Sequence, residues 1–463
     1  VEQLQGLDSL FIRHETEHAP LHVLAVMRVS RKNAPHPITA ETFRRLIAAR
    51  ITDFPGLCKK IVEPPIPLAP PLWIRTKPDL RIHIREVTMG EEKAPNDFDD
   101  YLALIDAELL DRSRPLWELH IVHDPTGDDS YLVAKGHHAL LDGIAGFELM
   151  ANIFDLDENG ANEDLAREVD DFSVAEEIPD WTTHIGATLV SQPITWAQSS
   201  IKVARNALNL AKSVLEPENK PSFVLPWRAP SWPENRTLTS ERVVSQVSLE
   251  KTTIKALRQK HSASFHDVFG AITAGALRNV LLERGELPDL PLACVSPVSI
   301  RRKRAMHGNE LAVMFAQLPT HLEDPFERIE FMKSSFSDAK EFLDSLGQDM
   351  LGEISRLTPW SALGALWNLY SDAGLSSKHA PFSNVMLSSL PGPNFPMYCA
   401  GSQVLSAFPY GPLFDGSFLN ITAISYLDKV NCGLVSCPES IDYVATIASA
   451  MTDSCDELAL ELS

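Results

Sequence analysis

Two strand-like runs lie on either side of a turn signal, Asp124-Pro125-Thr126-Gly127-Asp128. The first opens at Arg114-Pro115-Leu116-Trp117-Glu118 and continues through Val122. The second, Ser130 to Lys135, ends in two adjacent histidines, His137 and His138. Asp142 and Gly143 follow, and apolar residues then recur at helical spacing at Ile144, Phe147, Ala151 and Phe154. A hairpin that feeds a tight turn and then a helix requires a mixed α/β chain, with a rigid sheet aiming whatever stands at the hairpin mouth. Neighbouring side chains on an extended chain point to opposite faces. Only one of His137 and His138 can therefore face a given cleft, and the other points into structure. That asymmetry suits one imidazole acting as general base while its neighbour holds the turn, because a neutral imidazole readily takes a proton near pH 7. The alternative is two ordinary histidines in a turn, one bonded to a backbone carbonyl.

Strands and helices are mixed through the rest of the chain, with no short-period repeat. A helix starts near Leu7, with Asp8 as a candidate cap. His14-Glu15-Thr16-Glu17-His18 fits the zinc-protease pattern His-Glu-x-x-His. Ala19-Pro20 follows at once and disfavours helix around His18, so the segment reads as an exposed polar turn without a metal. Glu41–Ile51 has helical spacing, and Asn96 is a candidate cap for a helix with Phe98, Tyr101, Leu102, Ile105 and Leu109 on its apolar side. Asp155 to Asp180 is crowded with acids and reads as a solvated linker. A helix is expected from about Thr195 to Leu215, bounded by Pro193 and Pro217, and a second domain after the proline-broken stretch that ends at Pro233. In that half a helix begins at Ser264-Phe265-His266-Asp267. Strands are expected to end at Pro297-Val298-Ser299-Ile300-Arg301 and to occupy Leu311–Leu318, Phe382–Leu390 and Leu419–Tyr426. The domain reading is 1–180, a linker helix at 181–220, and 221–463.

The 463 residues include 41 Lys and Arg against 62 Asp and Glu, a formal charge of −21. Such a surface repels nucleic acid, and a polyanionic ligand would need a local basic patch. The densest candidate is Arg301-Arg302-Lys303-Arg304. Six cysteines in no framework spacing suggest a reducing compartment. Together with an opening stretch lacking a basic-then-apolar pattern and no run of ~20 apolar residues, this gives a cytoplasmic expectation.

The His-His-x-x-x-Asp-Gly pattern at His137 to Gly143 resembles that of acyltransferases acting on coenzyme A or carrier-protein thioesters. Dispersed matches make the resemblance more specific. They are Leu7-Asp8, Pro20-Leu21-His22-Val23, Arg112 to Glu118, Pro297 to Arg301, Gly308-Asn309, Pro391-Gly392-Pro393, Pro412-Leu413, Leu419-Asn420-Ile421 and Ser425-Tyr426. Over nearly its whole length the chain resembles the bacterial wax ester synthase/diacylglycerol acyltransferase family. The resemblance implies two domains, each like chloramphenicol acetyltransferase with a mixed sheet flanked by helices, and an active-site tunnel between them. It implies acyl transfer from acyl-coenzyme A, as substrate and without a cofactor, to a long-chain alcohol or diacylglycerol. His138 then takes the family's catalytic role and Asp142 a structural one. Two departures stand out. The family's Asn-Asp at the start of the second-domain helix is His266-Asp267 here, and its Ser-Asn before Pro-Gly-Pro is Ser388-Ser389-Leu390.

In the mechanism this implies, the imidazole removes the hydroxyl proton as the alcohol attacks the thioester and returns it to the leaving thiolate. No Gly-x-Ser-x-Gly elbow suggests a covalent serine route. Backbone NH groups, Ser389 and His266 are candidate oxyanion donors. Arg301, Arg302 and Arg304 are candidates for the phosphates of coenzyme A, the alternative being a solvated loop. The expected helix after the acidic stretch is amphipathic, with Trp196, Ile201 and Val203 on one arc and Lys202, Arg205 and Lys212 on the other. It is either a linker packing its apolar face on the domains, or an interfacial helix on a membrane or lipid-droplet surface. An acyltransferase with another donor or acceptor, or a non-catalytic lipid-binding member of the fold, are the remaining readings.

Overall fold

A computed structural model describes residues 2–4, 6–32, 34–66, 68–91, 95, 97–140, 154–166, 175–215, 224, 226–234, 236, 238–299, 311–346, 350–357 and 360–462. In chain order the principal strands are His22–Ser30 (β1), Ile84–Thr88 (β2), Trp117–His123 (β3), Asp129–His137 (β4), Val243–Glu250 (β5), Leu292–Ser299 (β6), Leu311–Leu318 (β7), Val385–Leu390 (β8), Tyr398–Cys399 (β9), Ser402–Tyr410 (β10), Leu419–Tyr426 (β11) and Lys429–Ser436 (β12). The helices that bear on the site are Gly6–His14 (α1), Ala40–Arg50 (α2), Phe98–Ala107 (α3), Asn162–Ala166 (α4), Trp181–Leu215 (α5), Lys251–His261 (α6), Phe265–Arg284 (α7), Pro325–Leu346 (α8), Met350–Leu357 (α9), Trp360–Asp372 (α10) and Val444–Ala459 (α11).

Two six-stranded sheets carry the fold, in the orders β9-β10-β1-β4-β3-β2 and β7-β6-β8-β11-β12-β5. Both are mixed: β2 lies parallel to β3, and β8 lies parallel to β6 and β11, while the other pairs are antiparallel. The first sheet is not built from the first half alone. β10 pairs antiparallel with β1, from Val404 opposite Val29 to Tyr410 opposite Leu24. A division at residue 221 therefore does not separate the sheets, because the second half lends two strands to the first.

Alternation along β1 explains how the first sheet is covered. Leu24 and Val26 pack in a cluster with Tyr101, Leu102 and Ile105 of α3. Met27 and Val29 pack with Phe43, Leu46 and Ile47 of α2. Helices thus bury both faces. In the second sheet α7 carries the core. Ser264 caps it in a reciprocal arrangement with Asp267, worth about 1 kcal/mol, and Gly285 ends it at φ 68°. A Cβ at Gly270 would stand 2.6 Å from Met332 Cε, and one at Gly275 would stand 2.3 Å from Ser454 Oγ. Glycine therefore lets α8 and α11 close onto α7.

Several local expectations are corrected. Asp8 lies inside the first turn of α1, which begins at Gly6. Asn96 lies outside the described residues, and Asp97 caps α3, accepting from the Asp99 backbone at 2.8 Å. Leu109 falls beyond the end of α3 and is exposed. The acidic stretch is not wholly a solvated linker. Arg50 lies 2.7 Å from both Asp155 and Asp164, which anchors α4 to α2. Pro193 does not bound the linker helix, because α5 starts at Trp181 and runs through it. Asp180 provides the earlier start by accepting from the Thr183 backbone at 3.0 Å.

On α5 the burial is the reverse of a packed apolar face. Ser199 is buried with its hydroxyl 2.6 Å from Glu353 of α9, and Lys202 reaches the same carboxylate at 2.6 Å. Val190, Ile194 and Ile201 are 76%, 60% and 62% exposed. Among the described residues no helix is long and apolar enough to cross a membrane.

Candidate active site

β4 pairs with both β1 and β3, so the hairpin mouth sits mid-sheet. His137 is fully buried there. The Ala139 N–H donates to its Nδ1 at 3.0 Å, which leaves that nitrogen the acceptor and puts the ring proton on Nε2. His137 Nε2 lies 3.1 Å from Glu15 Oε1. His138 points the other way. Its backbone N–H donates to Leu21 O at 2.9 Å, and its ring stacks on Phe11 with centroids 4.1 Å apart and planes 13° apart.

His138 lines a cavity of about 270 Å³ between the two sheets. Val23, Ala25 and Met27 of β1, Phe43 and Ile47 of α2 and Trp117 of β3 form one wall. Pro297, Leu311, Ser389, Leu390, Asn420 and Ile424 come from the second sheet. Trp117 is fixed by donating from Nε1 to Leu57 O at 2.8 Å and by stacking on His83. The Pro-Gly-Pro segment lies tight against β11: a Cβ at Gly392 would stand 1.7 Å from Ser425 O, so only glycine fits. Asn420 donates to Pro412 O at 3.0 Å and accepts from Thr422, which ties the loop after β10 to β11.

Of the residues singled out from sequence, His138 and Ser389 line one cavity. His266, at the start of α7, reaches Ser389 with Nε2 3.0 Å from Oγ. Burial lowers the His266 pKa below the usual histidine value, against a weaker opposing effect of Asp267. Asp142, Gly143, Arg301, Arg302 and Arg304 lie outside the described residues.

The turn after α1 differs from the exposed segment its sequence suggests. Glu15 and Thr16 are buried, not exposed. Glu15 accepts from Arg112 Nη2 at 2.7 Å and from the Leu21 backbone at 3.4 Å. Burial alone would raise its carboxyl, but His137 and Arg112 outweigh that and hold it at about 2. α1 ends at His14, so His14 and His18 do not share a helix face. A second buried group was also missed. His22 Nε2 lies 3.3 Å from Asp106, which Arg242 approaches from the second half at 3.6 Å, and Lys135 donates to Ile105 O and Glu108 O at the end of α3. The partners in these groups stand far apart in sequence; His137 in the motif, His22 inside the Pro20 to Val23 match and Arg112 inside the Arg112 to Glu118 match carried signals, but their pairing with Glu15 and Asp106 did not.

Two mixed sheets with helices on their faces form a two-domain fold like that of condensation domains and chloramphenicol-acetyltransferase-like domains. The chain is similar over 99% of its length to the wax ester synthase/diacylglycerol acyltransferase from Marinobacter aquaeolei VT8, with TM-score 0.65, 19% identity and 99% of that chain covered. It is similar to the first condensation domain of the CDA synthetase (TM-score 0.58, 13% identity, 99% and 96% covered) and to the trichothecene 15-O-acetyltransferase TRI3 from Fusarium sporotrichioides (0.58, 13%, 99% and 94%). At these identities the likeness concerns the fold.

Family models then narrow the class. The wax ester synthase/diacylglycerol acyltransferase catalytic domain matches residues 4–269, and the WS/DGAT C-terminal domain matches residues 307–459. The chain belongs to this family of acyltransferases. Among curated relatives, a Mycobacterium tuberculosis protein named as a diacylglycerol O-acyltransferase is 28% identical over 99% of this chain and 90% of its own length. The O-acyltransferase WSD of Acinetobacter baylyi is 27% identical over 95% and 93%.

Proposed function

We propose that the chain moves a long-chain acyl group from acyl-coenzyme A to the hydroxyl of a long-chain alcohol or a diacylglycerol, with His138 as general base. The observation that carries this reading is His138 on the wall of a mostly apolar cavity between the sheets. An acyl chain gains about 0.8 kcal/mol per buried CH₂ there. The thioester carbonyl is already activated, so the work lies in the alcohol. His138 takes its proton as oxygen attacks, a contribution of typically ~10²–10⁴-fold, and hands it to the departing thiolate. Phe11 fixes the plane of the ring. Ser389 lines the cavity, and its hydroxyl is our candidate oxyanion donor.

The basic run Arg301-Arg302-Lys303-Arg304 is our candidate for the coenzyme A phosphates. It joins β6 to β7, and Pro297 and Leu311, on those strands, line the cavity. For the lipid acceptor we infer delivery from a membrane or droplet surface, on which the exposed stripe of α5 rests. Both readings meet in one assay: purified protein with palmitoyl-coenzyme A plus hexadecanol or diacylglycerol, scored for ester and free coenzyme A. The expected result is ester formation that His138→Ala lowers by ~10²-fold or more, and an acyl-coenzyme A KM that rises, with weaker salt dependence, in an Arg302→Gln/Arg304→Gln double variant. Ester formation undiminished in His138→Ala sinks the mechanism. Binding of acyl-coenzyme A without ester from either acceptor favours another acceptor or a non-catalytic role.

A further inference from the structure

Ser389 and His266 form a pair that the transfer mechanism does not use as a pair. Ser389 stands on the cavity wall, in the same cavity as His138. His266 sits in the first turn of α7 with its Nε2 3.0 Å from the Ser389 hydroxyl. That is the separation of a nucleophile and its base. The imidazole is mostly buried, its edge meeting Phe336 and Phe265 with centroids 6.1 Å away in each case. Burial lowers its pKa, and the positive end of a 20-residue helix also disfavours an added proton. The ring is therefore neutral at pH 7 and has one nitrogen free to accept.

The position of the ring proton separates two roles. With the proton on Nε2, His266 donates to Ser389, whose own hydrogen is left for an oxyanion. With Nε2 bare, the serine hydrogen goes to the ring, and the oxygen is left to act as a nucleophile. Histidine beside serine supplies both a base and a nucleophile.

We propose that Ser389 and His266 are a second reactive centre, which accepts the acyl group covalently and releases it to water, giving the protein an acyl-thioester hydrolase activity. This rests on acyl-coenzyme A as the donor. Ser389 Oγ forms a bond to the thioester carbonyl carbon while its proton passes to His266 Nε2. The carbon–sulfur bond breaks and the thiolate leaves with that proton as the free thiol. Water then attacks the acyl-serine ester, its proton passes through His266 to Oγ, and a fatty acid departs. The net reaction is thioester plus water to acid plus thiol.

The test is palmitoyl-coenzyme A with no alcohol present. Wild-type protein should release free coenzyme A continuously. Acid-quenched samples from the first turnover should carry one added palmitoyl group on the peptide containing Ser389. Ser389→Ala and His266→Asn should each slow acceptor-free release by ~10²-fold or more. Asparagine can still hydrogen-bond Ser389 but cannot act as base, so it would rescue a merely structural or donor role. His138→Ala, which removes the base for transfer, should still form the adduct. Acceptor-free release unchanged in Ser389→Ala, or an adduct mapped to another residue, overturns the proposal. Ester formation from hexadecanol alongside either of those results leaves the transfer reading intact. An adduct on Ser389 without ester formation sinks the transfer reading and keeps this one.

Discussion

At the scale of single residues, His137 and His138 differ by what surrounds them more than by chemistry. One is enclosed and held by Ala139 and Glu15; the other faces the cavity against Phe11. That they would diverge follows from extended-chain alternation and could be read from two adjacent letters. Glu15 could not be read so. Its partners Arg112 and His137 stand 97 and 122 positions away, and the local pattern around it imitates a different chemistry. The pairing of Ser389 with His266 likewise spans 123 positions. Each residue was visible as a departure from the family pattern, but contact between them depends on how β8 packs beside α7.

Glu15 gives a test of sign as well as size. Its folded pKa of about 2 lies below the 4.5 of the free group. A depressed carboxyl contributes stability that is fully present above the unfolded value and is lost as pH falls from about 4.5 towards 2. Glu15→Gln should therefore lower stability at pH 7 by about 2–3 kcal/mol, the lower part of the usual range because Arg112 remains partly solvated. Urea midpoints of variant and wild type should converge near pH 2. The same substitution should cut acyl transfer roughly tenfold, because Glu15 also holds Leu21, whose carbonyl fixes the His138 backbone. A gap between the midpoints that stays constant from pH 7 to pH 2 would show that the carboxylate charge is not what matters.

Among the elements, those whose ends carry strong local chemistry agree with what the sequence suggests. α7 has its Ser264 and Asp267 box and its Gly285 stop, and the β3–β4 hairpin has its turn. Elements set by tertiary context differ. α5 runs through Pro193 because its start is fixed upstream at Asp180, and α4 is ordered by Arg50 despite its acidic surroundings. The faces of α5 are the informative case. Its polar Ser199 and Lys202 are used on Glu353, which leaves Val190, Ile194 and Ile201 to solvent. An apolar stripe kept exposed on a helix marks an interaction surface, and a lipid surface suits substrates that are themselves lipids. Replacing these three residues with serine should reduce flotation with liposomes by roughly 10²-fold, at about 1 kcal/mol or more per side chain. Turnover on short-chain soluble substrates should change little. A wild-type protein that stays at the bottom of the gradient, or that self-associates through this stripe instead, rules the lipid surface out.

Taken whole, the molecule is less divisible than its sequence suggests. The family resemblance implies two similar domains, and the structure has two six-stranded mixed sheets. Which strand joins which sheet is a long-range outcome. β10 follows β8 in the chain but pairs with β1, and its Pro409 and Tyr410 line the cavity together with Val23 and Leu24 of β1. Arg242 makes a further tie, donating to His18 O at 2.7 Å across the halves. Without β10 the β1 edge is a row of unpaired backbone groups beside an apolar face, a template for aggregation. A truncation ending at residue 220 should therefore be insoluble or self-associate, although it retains both histidines of the motif. In the full chain, tryptophans near each sheet should report one cooperative urea transition, because β10 cannot leave the first sheet without unravelling its connections to β8 and β11. A palmitoyl-coenzyme A analogue should move that transition as a single step, since its cavity is walled by both sheets. Two separated transitions, with only one shifted by the ligand, would mean that the halves fold as independent units and that the shared strand contributes little to holding the cavity closed.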